Sequence, residues 1–240
     1  MSNLYPKNID RKFRLPRIWS NLELKKFAHL FGGEVVNVSA WKDSDKEGRQ
    51  YKDYFINAIS YSLTNYNADA RGFQGIENEI FLDLTAELPT SLHKSFDVAF
   101  NHTTLEHIFE VNTAFDNICK ISRDIVIIVV PFLQEMHGEY GDYWRFTPSA
   151  IIKMFERNKM EVLHLSFNKH PESSVYIFAI ASHLPEKWVT VINGTVMKGL
   201  SSTKDEIIGN YAFLIKKPQN DIINSHIKIL FKKIAKKIKK

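Results

Sequence analysis

The sequence predicts an α/β domain built on a central, mostly parallel sheet of seven strands with an antiparallel hairpin at one edge. Three observations carry this. Short apolar strand-like segments alternate with helical stripes along the chain, the order that places helices on both faces of a parallel sheet. Asp124 to Phe132 is nearly all β-branched and apolar, as in a strand buried on both faces. Lys159 to Phe167 and Val175 to Ser182 are two strand-like runs joined by a short polar link, which reads as an antiparallel hairpin.

Taken in order, the first helix is expected from Leu22 to Leu30. Ser20 followed by Glu23 has the spacing of a capping box, and Gly32-Gly33 supplies the stop. Glu34 to Ala40 reads as the first strand, 41–50 as a polar loop, and 51–58 as a possible short helix. Ile59 to Asn67, Glu79 to Leu84 and Ser95 to Asn101 are the next three strands. Ile108, Val111, Phe115, Ile118 and Ile121 recur every three or four residues, the stripe of an amphipathic helix. After the fifth strand, Thr147-Pro148 is a cap followed by proline at the first helical position, and Ile151, Ile152 and Phe155 form an apolar face. Residues 186–218 hold further β-rich sequence. Within it, Asn210 to Lys217 could supply the last strand in place of 175–182.

At 240 residues and 27.9 kDa, the chain can bury one full core. It divides into a basic segment with the first helix (1–30), the main domain (31–185), the β-rich extension (186–218) and a basic tail (219–240). The single cysteine, Cys119, excludes an intramolecular disulfide and fits a reducing, cytoplasmic compartment. The longest apolar run, Ile125 to Leu133, is nine residues, against roughly 20 for a membrane-spanning helix. Met1 to Pro16 is polar and basic, without the apolar stretch of a secretory signal.

The net charge of +5 is unevenly spread. Residues 221–240 carry seven lysines and one aspartate, residues 1–20 carry five basic residues and one aspartate, and the body between them sums to −5. An acidic body argues against nucleic acid as a partner. In the tail, Ile223, Ile227, Leu230, Ile234 and Ile238 form one stripe and the lysines fall largely opposite. Such a basic amphipathic helix would lie on an anionic membrane surface, placing the protein peripherally on the inner face of the cell membrane. A solvated tail, or one packed on its own domain, is the alternative.

Specific residues go further than periodicity. The succession Val35-Val-Asn-Val-Ser-Ala40, Phe81-Leu-Asp-Leu-Thr-Ala-Glu-Leu-Pro89, and Phe96-Asp-Val-Ala-Phe-Asn-His-Thr-Thr-Leu-Glu-His-Ile108 resembles the class I S-adenosylmethionine (SAM)-dependent methyltransferases, type 11-like. Val130-Pro-Phe132, then His137 and Asp142-Tyr-Trp-Arg-Phe-Thr-Pro148, is similar to a branch associated with glycan modification. The resemblance spans about residues 31–183. It implies a Rossmann-like fold, SAM as cofactor and a saccharide or lipid-linked glycan as acceptor, methylated on a hydroxyl. The oligomeric state is left open.

Carried over by position, the resemblance assigns cofactor contacts to Asn37, Ser39 and Ala40 after the first strand and to Asn65 or Asn67 after the second. Asp83 and Leu84 would flank the adenine; Asn101, His102 and Thr103 would line the sulfonium end. Ser39 and Trp41 stand where the family usually has glycines, which permit close backbone approach. That departure keeps open a rival reading, a catalytically eroded protein of the same fold acting as a membrane-tethered interaction subunit. Asp83 could equally be a strand-end turn carboxylate. Thr103 replaces an acid that related O-methyltransferases use with a metal, and His102 and His107 lack zinc-ligand spacing; no metal is expected.

For catalysis the general base is expected to be His137 first and Asp142 second, with Glu106 and His107 as further candidates and Tyr143, Trp144 and Arg145 as acceptor contacts. Histidine suits proton removal from a hydroxyl near neutral pH, and aromatics suit stacking on sugars. The competing reading of residues 137–145 is a surface loop held by an Arg145–carboxylate pair. For Glu106 and His107 it is a helix start, where a carboxylate is favoured in any case.

Overall fold

The computed structural model describes residues 9–67, 72–137, 141–170 and 173–197. The order is α1 (Arg14–Phe27), β1 (Gly32–Val38), β2 (Asn57–Asn65), β3 (Glu79–Phe81), β4 (Phe96–His102), α2 (Val111–Ile121), β5 (Ser122–Leu133), α3 (Pro148–Arg157), β6 (Glu161–Phe167) and β7 (Val175–Ser182). Seven strands form one sheet in the order β3-β2-β1-β4-β5-β7-β6. All run parallel except β7, which is antiparallel to both β5 and β6.

The alternation along β5 divides the interior. Ile125, Ile127 and Val129 face a layer with Leu24 and Phe27 of α1, joined by Val98, Phe100, Phe178 and Ile180. Val126, Ile128 and Val130 face the other layer, where Phe115 and Ile118 of α2 meet Phe155 of α3. Because side chains alternate across a strand, one continuous apolar run feeds both cores. That is why Asp124 to Phe132 has no polar face.

Several elements form as the sequence predicts. Thr147 Oγ1 accepts from the Ala150 N–H at 3.2 Å and Pro148 opens α3. The hairpin strand β7 has the predicted bounds and takes the place beside β5, with β6 outside it.

Others differ. The first helix starts at Arg14, eight residues before Leu22. The capping-box pair does not cap: Ser20 is buried in the helix and donates to the Arg17 carbonyl, while Glu23 turns inward to His164, 3.3 Å away. Instead, Asp10 accepts from the N–H groups of Lys12 and Phe13 just ahead of the helix. Of residues 51–58 only Tyr51–Tyr54 is helical, a single 3-10 turn, and β2 begins at Asn57. Glu106 and His107 lie in a separate turn, Leu105–His107, and α2 begins only at Val111. The helix-start explanation for Glu106 therefore fails.

Of the 186–218 extension, the described part ends at residue 197, with Val196 bridged to Leu165 of β6. The strand expected at Asn210 to Lys217 and the tail at 219–240 lie outside the described residues. Among the described residues, no helix is long and apolar enough to cross a membrane.

Candidate functional site

Strand order reverses between β1 and β4: β2 and β3 lie to one side, β5 to the other. A crevice outside the carboxyl ends of the strands is expected at such a switch point. There the structure opens a cavity of about 710 Å³, within the range of small-molecule sites.

Its first wall is the loop after β1. Ser39, Trp41 and Asp43 all have positive φ, at 57°, 51° and 56°. These are glycine-like conformations held by residues with side chains, at a cost near 1–2 kcal/mol each. The end of β2 holds them in place. The Ser39 N–H donates to Thr64 Oγ1, Ala40 N–H to the Thr64 carbonyl, and Trp41 N–H to Asn65 Oδ1 at 2.6 Å. Asp43 is buried beneath, accepting from Asn37 Nδ2 at 2.7 Å and the Tyr61 hydroxyl at 2.8 Å. Burial pushes its carboxyl above the ordinary range.

Asn37, Ser39, Ala40, Asn65, Asp83, Leu84, His102 and Thr103 line this cavity, as the resemblance implies. Asn101 does not; it is fully buried and its amide donates to the Val38 carbonyl, tying β4 to β1. Asn65 is largely committed, since its amide donates to Trp41 O and to Glu79 Oε1. Asp83 uses Oδ1 to accept from the Thr85 N–H and hydroxyl, and its Oδ2 has no partner among the described residues. Trp41, Tyr66 and Asn67 complete the outer wall.

The far end was not legible in the sequence. Arg17, from α1, reaches the end of β4. Its Nη1 donates to the Tyr51 hydroxyl at 3.1 Å and to His102 Nδ1 at 3.3 Å, and Nη2 donates to Thr103 Oγ1 at 3.1 Å. Because a guanidinium only donates, His102 Nδ1 must accept, so Nε2 carries the proton and donates to Ser20 Oγ at 2.9 Å. Burial, and then the charge of Arg17, push His102 well below the usual histidine range. His102 is thus a neutral strut for Arg17. With the helix expected only from Leu22, nothing marked Arg17 apart from its share of the basic N-terminus.

Past Arg17 lies a second cavity of about 500 Å³, sharing Arg17, Lys46, Thr103 and His107 with the first. Glu106, His107 and His137 line it. Glu106 is 1% exposed and its Oε2 has no hydrogen-bond partner. Burial pushes this carboxyl up to about 7, against the pull of His107, Arg145 and Arg17. His107 Nδ1 donates to the Gly141 carbonyl at 2.6 Å, turning Nε2 toward Glu106 Oε1, 3.8 Å away. The His107 and His137 rings stack with centroids 5.0 Å apart. Gly141 has φ +84°, and a Cβ there would come within 2.7 Å of the Tyr143 ring; the turn that presents its carbonyl needs glycine.

The remaining acceptor candidates separate. Tyr143 lines the first cavity. Asp142 lines neither: it accepts from both Arg145 Nη atoms, at 2.5 and 2.8 Å, and from the His137 N–H at 2.9 Å. Against the effect of burial, these partners pull its carboxyl down to about 2. Arg145 also donates to the carbonyls of Gln134 and Glu135, and Trp144 Nε1 donates to the Ile108 carbonyl. Asp142, Arg145 and Trp144 therefore brace the segment that carries His137 and Tyr143.

No family model and no curated protein matches the chain. Solved structures do match in fold. A provisionally assigned methyltransferase from Bacillus halodurans C-125 superposes with a TM-score of 0.51 at 12% identity, over 68% of this chain and 97% of that one. A chain from the complex of the Haloferax volcanii Trm112 methyltransferase activator with a provisionally assigned methyltransferase gives 0.50 at 9% identity, over 70% and 90%. Magnesium protoporphyrin IX methyltransferase from Synechocystis, solved with bound SAM, gives 0.48 at 9% identity, over 75% and 86%. At these identities what the first two share with this chain is the fold, a Rossmann-like seven-stranded sheet.

Proposed function

We propose that the chain is a SAM-dependent methyltransferase that methylates an acceptor oxygen, with a saccharide or lipid-linked glycan hydroxyl as the acceptor suggested by the sequence resemblance. One observation carries the reading: the cavity at the switch point is walled by the strand-end residues to which the resemblance assigns cofactor contact. The cavity also fits the cofactor chemically. Asp83 offers an unpartnered carboxylate oxygen for an exocyclic amine or a ribose hydroxyl, and Tyr66 adds an aromatic ring to the wall. When bound, the SAM sulfonium supplies an electrophilic methyl group.

The chain's own residues hold the acceptor and take its proton. Glu106 is the base we assign, because its free Oε2 is held dry in the wall of the second cavity and its proton affinity suits neutral pH. His137, across the same cavity, is the next candidate. Asp142 is a poorer one, being neutralised by Arg145.

The rival reading, an eroded interaction subunit, drew on the missing glycines. Ser39 and Trp41 adopt the glycine conformation without being glycine, so their identity no longer favours erosion. Thermal denaturation and calorimetry with SAM and S-adenosylhomocysteine (SAH) test the proposal. At a hundred times the dissociation constant, stabilisation of about 2.7 kcal/mol is expected. A flat response to both at millimolar concentration overturns the enzyme reading.

A further inference from the structure

Resting on that reading of the first cavity, we infer that the second cavity takes an acidic acceptor, one bearing a carboxylate or phosphate group that Arg17 grips while the reactive hydroxyl faces Glu106. The argument begins with the unused capacity of Arg17. Three of its five N–H donors are spent on the neutral groups of Tyr51, His102 and Thr103. The other two have no partner among the described residues, and no carboxylate there forms an ion pair with it. Arg17 is half-buried and reaches the cavity, so an anion there would complete both its charge and its two remaining donors. Its fork suits two oxygens of a carboxylate or phosphate.

The neighbours add to this charge. Arg14 and Lys46 line the same cavity, Arg14 bonded to the Lys46 carbonyl, and His107 and His137 close the opposite side. Among the described residues lining the cavity, two are acids. The Asp10 carboxylate is occupied by the N–H groups of Lys12 and Phe13. Glu106 is fully buried beyond Arg17, and burial favours its neutral form. The cavity therefore presents two arginines, Arg14 and Arg17, neither of them ion-paired to a carboxylate among the described residues. A neutral sugar would leave Arg17 uncompensated; a uronic or phosphorylated acceptor would not.

Arg17 also borders the first cavity, so the amino-acid carboxylate of the cofactor is the competing source of the same anion, and the test separates the two. Calorimetry on the full chain, with and without saturating SAH, compares benzoate with the isosteric neutral benzamide, and adds inorganic phosphate. Benzoate binding at least tenfold tighter than benzamide is expected, weakening with added salt, alongside measurable phosphate binding. This comparison needs no variant. In Arg17→Gln, and more mildly in Arg17→Lys, benzoate affinity should fall about tenfold while SAH affinity stays within twofold. Equal binding of benzoate and benzamide to the unmodified protein overturns the proposal. So does an Arg17→Gln protein that loses more SAH affinity than benzoate affinity, since the guanidinium would then serve the cofactor. Failure of SAH to bind the unmodified protein would sink the methyltransferase reading alone, because the benzoate comparison without SAH still reports on the second cavity.

Discussion

Where β1 and β2 end, the cavity wall is backbone, bent into left-handed turns and fastened by the neutral groups of Thr64 and Asn65. Beyond Arg17 the wall is made of ionisable side chains: Glu106, which is buried, and His107 and Arg17, which are half-buried. The two walls face the same crevice yet would tolerate change very differently. A backbone-built wall depends on local conformation, so single side-chain replacements there should act modestly and mainly on binding. A charge-built wall depends on burial and mutual fields, so single replacements should act strongly and with pH.

The largest expected effect falls on the charged wall. Glu106→Gln keeps the shape and removes the base, and transfer to the true acceptor should drop by about 10²–10⁴-fold. SAH affinity should stay within about twofold, because the first cavity is untouched. In the unmodified protein the rate should rise with pH and level off above about 7, following the carboxyl. Single-turnover methyl transfer across pH checks both. A Glu106→Gln protein with full turnover would pass the role to His137 and remove the basis for the contrast.

The same carboxyl should mark the stability curve. Glu106 binds its proton more tightly in the folded chain than in the unfolded one, with 4.5 raised to about 7. Folding therefore takes up a proton between those values, and stability falls as pH rises through them. The loss is complete above about pH 7 and amounts to about 3 kcal/mol. Glu106→Gln should match the parent near pH 4 and exceed it at pH 8 by about that amount in urea denaturation. Parallel curves for the two proteins would mean that the carboxyl is not buried as described.

On the backbone-built side, Asp83→Ala should weaken SAH by about tenfold, the scale of one hydrogen bond to a charged group, with no effect on benzoate binding. An unchanged SAH affinity would leave Asp83 as the turn carboxylate its Thr85 bonds also describe.

The contrast also governs how much of the molecule was legible in its sequence. Strand ends are set by local pattern, so the first cavity's wall could be named from β1, β2 and the segment after β3, apart from Asn101, whose amide points back at Val38. The charged wall depends on what long-range packing delivers. Arg17 arrives on a helix whose start was hidden, because Ser20 and Glu23 have the spacing of a cap but are spent on Arg17 and His164. Glu106 could be nominated, but its solitary Oε2 is a product of burial that no motif encodes. Asp142 and Arg145 could be named as a pair, but only their geometry, three residues apart and bidentate, separates bracing from catalysis.

The smallest effect, and the one that most sharply tests the backbone half of the contrast, is expected at Ser39. Its φ of 57° costs a residue with a Cβ about 1–2 kcal/mol, whereas glycine adopts it freely. Glycine also enlarges the conformational freedom of the unfolded chain, which takes back about 0.4–1 kcal/mol. Ser39→Gly should therefore stabilise the protein by a net of about 0.5–1 kcal/mol, or roughly 2 °C in Tm for a domain of this size. The N–H that bonds Thr64 Oγ1 at 3.1 Å is kept, so the loop should hold its course and SAH affinity should not fall. Ser39→Ala is the control: it retains the Cβ and the strained φ and should give no gain. Should Ser39→Gly melt no higher than Ser39→Ala, the bend after β1 is not strained. The absence of glycine there would then carry no cost, and the first wall would be fastened by its side chains after all.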